Sequence, residues 1–170
     1  MQPSLNQTLA YLFTAATVAG IRNRLYSKKA ARAGQPVLAR LLEALESSES
    51  AHARRFSMYL RGKTSDSETF LSHYRESKLK EIAPLYARMA QQYADDGQAG
   101  KTENFSQFER VLAAQAELIA RYQSASENMP LDVYTCQICG FVTTTKPAAN
   151  CPVCNAVKEK FDRFGLPRAS

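Results

Sequence analysis

The chain of 170 residues is 45% hydrophobic and 22% charged, the balance of an ordinary globular protein and not of a disordered, fibrous or membrane-embedded one. No basic N-terminal region leads into an apolar run with a small-residue cleavage site, and no apolar stretch approaches the roughly 20 residues that span a bilayer. The expectation is therefore a cytoplasmic protein without a membrane partner. The net charge of +6 invites a nucleic-acid reading, which is disfavoured. Arg22, Arg24, Lys28, Lys29 and Arg32 gather toward the end of the first predicted helix, where the macrodipole favours cations, and no aromatic-basic motif or recognition-helix pattern accompanies them. A basic face that docks an acidic redox partner is a reading of equal weight.

Taken in order, Leu5 to Arg32 shows helical periodicity, with Leu5, Leu9, Leu12 and Ala16 on one row and Tyr11, Ala15, Val18, Ile21 and Leu25 on the next. Gly34-Gln35-Pro36 stops that helix, and Pro36 is suited to open another because the first helical N–H needs no partner. The second helix runs to Arg61 along Leu38, Leu41, Leu42, Leu45, Glu49, His52, Phe56 and Leu60, which puts Glu49 and His52 on the inward-looking face. Ser65 and Glu68 read as a capping box for a third helix carrying Phe70, Leu71, Tyr74, Ile82, Leu85, Tyr86, Met89 and Tyr93, with Lys78 on the same stripe. Pro84 inside this pattern removes a helical hydrogen bond and is expected to kink it. Asp95 to Asn104 reads as a loop. A fourth helix from Phe105 to Ser124 turns Phe108, Val111, Leu112, Leu118, Ile119 and Tyr122 inward, with Gln115 in line.

Four amphipathic helices over residues 1–126 predict an all-α four-helix bundle. Ser124 to Leu131 has the composition of a linker. Residues 132–170 are too few for a core of their own, so a metal must supply much of their folding free energy. The means is at hand. The chain's four cysteines, Cys136, Cys139, Cys151 and Cys154, form two Cys-x-x-Cys hooks facing each other across a short loop, the spacing of a tetrahedral metal site. Four thiolates leave no open ligand position, so the site can hold a fold or carry an electron but cannot bind substrate at the metal. Gly140 and Asn155 each follow the second cysteine of a hook, where a tight knuckle requires a positive φ that Gly takes freely and Asn tolerates. Spacing alone fits zinc as well as iron.

The flanks, Val133-Tyr134-x-Cys136, Gly140-Phe141-Val142 and Cys151-Pro152-x-Cys154 with Lys158-Glu159-Lys160-Phe161 beyond, resemble the rubredoxin-like domain that ends rubrerythrins. Ahead of it, Arg22-Asn23-Arg24, Glu49 to Arg55, Tyr86 to Ala90 and Ala116-Glu117-Leu118 resemble the same family, which places a ferritin-like bundle before the rubredoxin tail. The resemblance implies a single iron at Cys136, Cys139, Cys151 and Cys154, with zinc possible, a homodimer, and an unidentified redox partner protein.

It also implies a di-iron peroxidase centre in the bundle, and here the chain departs from the family. The first-helix glutamate position falls on Val18, the two third-helix glutamates on Arg75 and Lys78, and the fourth-helix Glu-x-x-His on Leu112 and Gln115. Only Glu49 and His52 keep the residual motif, so no di-iron centre is expected. A buried Glu49 without metal needs a cation or a proton, and Arg75 or Lys78, with His52 and Gln115, is the expected replacement. The leading expectation is an electron-transfer protein whose bundle is a scaffold. Two alternatives stand beside it: a peroxide reductase with an atypical bundle metal site, and a structural zinc ribbon on a helical interaction module.

Overall fold

The computed structural model describes residues 4–62, 65–125 and 132–165. The described chain divides into two compact units, Met1–Ser65 and Asp66–Ser170. Four long helices, as the periodicity predicts, precede a small three-stranded sheet that carries the cysteine hooks.

The first unit is a helical hairpin. Helix α1 spans Leu5–Arg32 and α2 spans Pro36–Arg61, both as expected. Ser4 caps α1 in a reciprocal box with Gln7, whose side chain accepts from the Ser4 N–H at 2.8 Å. Between the helices, Gly34 adopts φ 70°, a conformation that costs a residue with a Cβ. The large apolar residues do not form the seam of this hairpin. Ala16, Gly20, Ser27 and Ala30 are the buried side of α1, and Ala39 is buried on α2. These residues recur at helical spacing and lack bulk, so the two backbones can approach closely. Ser27 donates across the seam to Glu43 Oε1 at 3.3 Å, which satisfies the one buried hydroxyl there.

A Cβ placed on Gly20 would meet Glu49 Cβ and Ser50 Oγ, both at 3.7 Å, which is ordinary contact. Gly20→Ala is therefore expected to stabilise the protein by up to about 1 kcal/mol through helix propensity, whereas Gly20→Leu should destabilise it by roughly 1–3 kcal/mol. Chemical denaturation of the two variants checks both signs.

In the second unit, α3 (Ser67–Ser77) runs through a π-helical turn (Lys78–Ile82) into α4 (Ala83–Asp95). The cap of α3 corrects the expectation. Asp66, and not Ser65, opens the helix, because its carboxylate accepts from both the Thr69 N–H at 2.8 Å and the Thr69 hydroxyl at 2.7 Å. The π turn has a local cause in Pro84, which cannot donate and whose ring crowds the carbonyl four residues back, at Lys80; widening the preceding turn relieves both.

Helix α5 (Ala99–Ala125) starts six residues before the expected Phe105, leaving a short turn at Gly97 in place of a loop. The Gln98 carbonyl accepts from Lys101 and Thr102, and Phe105 stacks on Tyr93 with ring centroids 5.6 Å apart, so the early turns of α5 are held to the end of α4. Tyr86 and Phe108 complete an aromatic cluster with Phe105. Val111, Leu112 and Ala116 are the buried side of α5. The linker expected after Ser124 lies, from residue 126 on, outside the described residues.

Three antiparallel strands follow: β1 (Val133–Cys136), β2 (Val142–Thr143) and β3 (Phe161–Phe164), in the order β2-β1-β3. Tyr134 pairs with Thr143 on one side and Arg163 on the other. A 3-10 turn, Lys158–Lys160, leads into β3. Arg163 and Asp132 close the open end of the sheet with a 2.8 Å ion pair. Among the described residues no helix is long and apolar enough to cross a membrane.

Candidate metal centre

Each cysteine hook is a knuckle built by the same backbone scheme. In the first, the Cys136 N–H donates to the Phe141 carbonyl at 2.9 Å and the Gly140 N–H returns to the Cys136 carbonyl at 2.9 Å. In the second, Cys151 donates to Ala156 at 2.7 Å and Asn155 returns to Cys151 at 2.9 Å. Closing such a tight loop forces the residue after the second cysteine into the left-handed region, and Gly140 sits at φ 82° and Asn155 at φ 59°. Both positive φ values were expected from the sequence. The Asn155 side chain adds its own tie, accepting from Asn150 at 3.1 Å.

The knuckles bring all four sulfurs within 4.8 Å of one another. Cys136 Sγ lies 3.7 Å from Cys154 Sγ, and Cys139 Sγ lies 3.7 Å from Cys151 Sγ. These separations exclude disulfides, whose sulfurs stand about 2.05 Å apart. They match a tetrahedral metal, because metal–sulfur bonds of about 2.3 Å set ligand sulfurs about 3.8 Å apart. The four cysteines thus fit a single closed, tetrahedral, thiophilic ion. Among the described residues they are the one group of three or more His, Cys, Asp or Glu whose ligand atoms converge in this way.

The environment of the sulfurs is uneven. Cys136 and Cys151 are buried, while Cys139 and Cys154 are half-exposed. Burial opposes a charge on Cys136, but the N–H groups of Cys139 and Ile138 outweigh it and hold the thiol below its ordinary range. Burial dominates at the other two: it pushes Cys139 strongly upward against the Phe141 N–H, and Cys154 upward against the Ala156 N–H. Four thiolates crowded together are costly without a cation, and a bound metal supplies that charge. The N–H donors are the supporting groups that spacing alone does not name. Beneath the first knuckle, Val111 of α5 comes within 4.0 Å of where a Gly140 Cβ would stand, so the sheet is seated on the last helix.

The residues that stand at the family's bundle-ligand positions are placed as follows. Glu49 is half-buried, and its Oε2 lies 3.9 Å from His52 Nδ1. The His52 side chain is 57% exposed, because α2 meets α1 along the Ala39 side and leaves His52 on its flank. Arg75 is half-buried and donates through Nε to the Ala116 carbonyl at 3.1 Å, tying α3 to α5. Lys78 opens the π turn, with Nζ 5.4 Å from the Tyr74 ring centre, a cation–π contact. Leu112 is buried at 4% exposure, Gln115 is half-buried and Val18 is exposed. His73 is exposed.

The model for the rubrerythrin rubredoxin-like domain matches residues 134–162, the sheet with both knuckles. Rubrerythrin-2 of Clostridium acetobutylicum is 26% identical over 167 residues, covering 87% of this chain and 90% of the relative. Solved structures of nigerythrin share the fold along nearly the whole chain. Its mixed-valence state aligns with a TM-score of 0.53 at 18% identity, covering 96% of this chain and 88% of the other. The partially reduced state aligns at 0.54 with the same identity and coverage. The architecture is thus four helices followed by a rubredoxin-like metal module. The two knuckles and the matched domain together mean that residues 134–162 form a rubrerythrin-type rubredoxin-like domain, and the rest of the chain is similar to Rubrerythrin-2 along most of its length.

Proposed function

We propose that this protein is an electron carrier that holds one iron at Cys136, Cys139, Cys151 and Cys154, and that its helices no longer support the family's di-iron peroxide chemistry. The convergence of four sulfurs within 4.8 Å, with no fifth donor required, carries the reading. A bound iron supplies one-electron chemistry without an open position for substrate. The protein's part is to hold that ion. The N–H groups facing the sulfurs stabilise thiolate charge and bias the reduction potential, and the half-exposed Cys139 and Cys154 offer the side from which an electron can leave.

The loss of the bundle centre is supported by the replacements themselves. Leu112 offers no ligand atom, and Arg75 and Lys78 bring positive charge where an iron pair would require carboxylates. Metal analysis of protein produced with ample iron is expected to give one iron per chain. Two or more irons beyond the cysteine site would overturn the proposal, as would peroxide-driven oxidation of the reduced centre that slows when Glu49 or His52 becomes Ala. Zinc alone after iron-replete production, with no visible colour, would favour the structural reading. Cys139→Ser should abolish the thiolate-to-iron absorption in the visible, and an unchanged spectrum would contradict the assignment. Cytoplasmic residence and association of two copies belong to the same proposal. A solution mass of 18.9 kDa, measured by light scattering, would remove the second.

A further inference from the structure

The sulfurs that converge on an ion also stand within reach of one another. Cys136 Sγ faces Cys154 Sγ at 3.7 Å, and Cys139 Sγ faces Cys151 Sγ at 3.7 Å. Each pair takes one sulfur from each hook, and each contains one buried cysteine, Cys136 or Cys151. Only a small approach separates either pair from the disulfide distance of about 2.05 Å.

Backbone ties run between the same two hooks. Cys136 is the register partner of Phe161 in the β1–β3 ladder, the Gln137 N–H donates to the Lys160 carbonyl at 2.8 Å, and the Gln137 side chain donates to Asp162 at 2.7 Å. These contacts join the first hook to the segment that follows the second. A sulfur that releases the ion therefore stays opposite its partner on the other hook. All of them lie within residues 132–165.

We propose that a two-electron oxidant such as hydrogen peroxide converts this site into two hook-to-hook disulfides, one between Cys136 and Cys154 and one between Cys139 and Cys151, with expulsion of the ion. The inference rests on the convergence of the cysteines and not on which ion they hold. In the first step a thiolate attacks peroxide, the O–O bond breaks, and a sulfenic acid and hydroxide result. The facing thiolate then attacks that sulfur, the S–O bond breaks, and a second hydroxide leaves. Each disulfide thus consumes one peroxide, its two electrons come from the two sulfurs, and the ion departs with its own charge unchanged. Either member of a pair serves as the first nucleophile, because the same two sulfurs are joined in the end.

The crosslinks take over the structural work of the ion. Their cysteines are 18 and 12 residues apart, and a disulfide constrains the unfolded chain more as the loop it closes grows. A crosslink inside one hook would span only two intervening residues and leave the hooks free of each other. Peroxide accordingly halts metal chemistry at this site while the module keeps its fold, and a thiol reductant with fresh metal restores the site.

The test uses ferric-loaded full-length protein and excess hydrogen peroxide, with a chelator present to hold released iron and the chelator alone as control. Loss of the visible absorption should accompany a fall in titratable thiols from four to none. Chymotryptic cleavage after Phe141 separates the hooks, so mass spectrometry with fragmentation should find them joined through the two named pairs. The oxidised, metal-free protein should keep the dispersed strand resonances, and dithiothreitol followed by ferrous iron should restore the absorption. Zinc-loaded protein should give the same crosslinks, so failure of the iron assignment and failure of this inference are told apart. Any other pairing, sulfinic or sulfonic acids in place of disulfides, an ion retained with its thiols intact, or strand resonances lost on oxidation would each overturn the proposal.

Discussion

Stripping the metal from the cysteine site is expected to unfold residues 132–165 while leaving the helical signal intact. Among the described residues of this segment only Cys136 and Cys151 are buried, so the sheet has no apolar core to replace the ion. In small thiolate modules the free energy of metal binding, about 10–16 kcal/mol in zinc-finger peptides, is in effect the free energy of folding. The seat of the sheet on α5, where Val111 lies within 4.0 Å of the Gly140 Cβ position, adds no fully buried apolar residue of the sheet to offset that loss. Chelation should therefore collapse the dispersed amide resonances of the strands and open the segment to proteolysis, with ellipticity at 222 nm nearly unchanged. A metal-free protein that keeps its strand resonances would refute the assignment of the ion as the core of this module. Cys136→Ser should do the same without chelator, because it removes the most deeply buried ligand.

Leu112→Glu is the second change with a large expected effect, because it returns a carboxylate to the position where the family carries one. Leu112 is buried at 4% exposure beside Val111 and Ala116. A carboxylate there is desolvated, so its folded pKa rises above the unfolded value of about 4.3. The sign follows directly. The destabilisation is complete above the folded pKa and shrinks as pH falls through it, because the folded state then binds the proton the unfolded state still lacks. Thermal denaturation should show a loss of about 3 kcal/mol or more at pH 8 that is partly recovered near pH 5, against less than about 1.5 kcal/mol for Leu112→Met at either pH. A loss under 1 kcal/mol without pH dependence would mean that the interior beside α5 is wet or already cationic.

Local features were the legible ones. Helices α1 and α2 could be bounded from Gly34-Gln35-Pro36 and Gly62 because breakers act through the backbone of the residues that carry them. The cysteine site was readable for the same reason: ligand spacing and the positive φ at Gly140 and Asn155 are consequences of loops five or six residues long. Features set by packing were not. The early start of α5 depends on Phe105 stacking on Tyr93, across the turn, and no pattern within Ala99–Asn104 announces it. The seam of the hairpin is not announced by the large apolar residues, because Ala16, Gly20 and Ser27 are what let the backbones close together. Lys78 fell on a stripe drawn at 3.6 residues per turn, and the π turn that begins at Lys78 changes that period.

The unequal burial of the four sulfurs makes the metal site kinetically one-sided. A competing chelator or an alkylating reagent can approach Cys139 and Cys154 but not Cys136 and Cys151, so exchange must begin with one of the two open ligands and pass through a species still held by the buried pair. An ion that has partly let go remains tethered where the knuckles can recapture it.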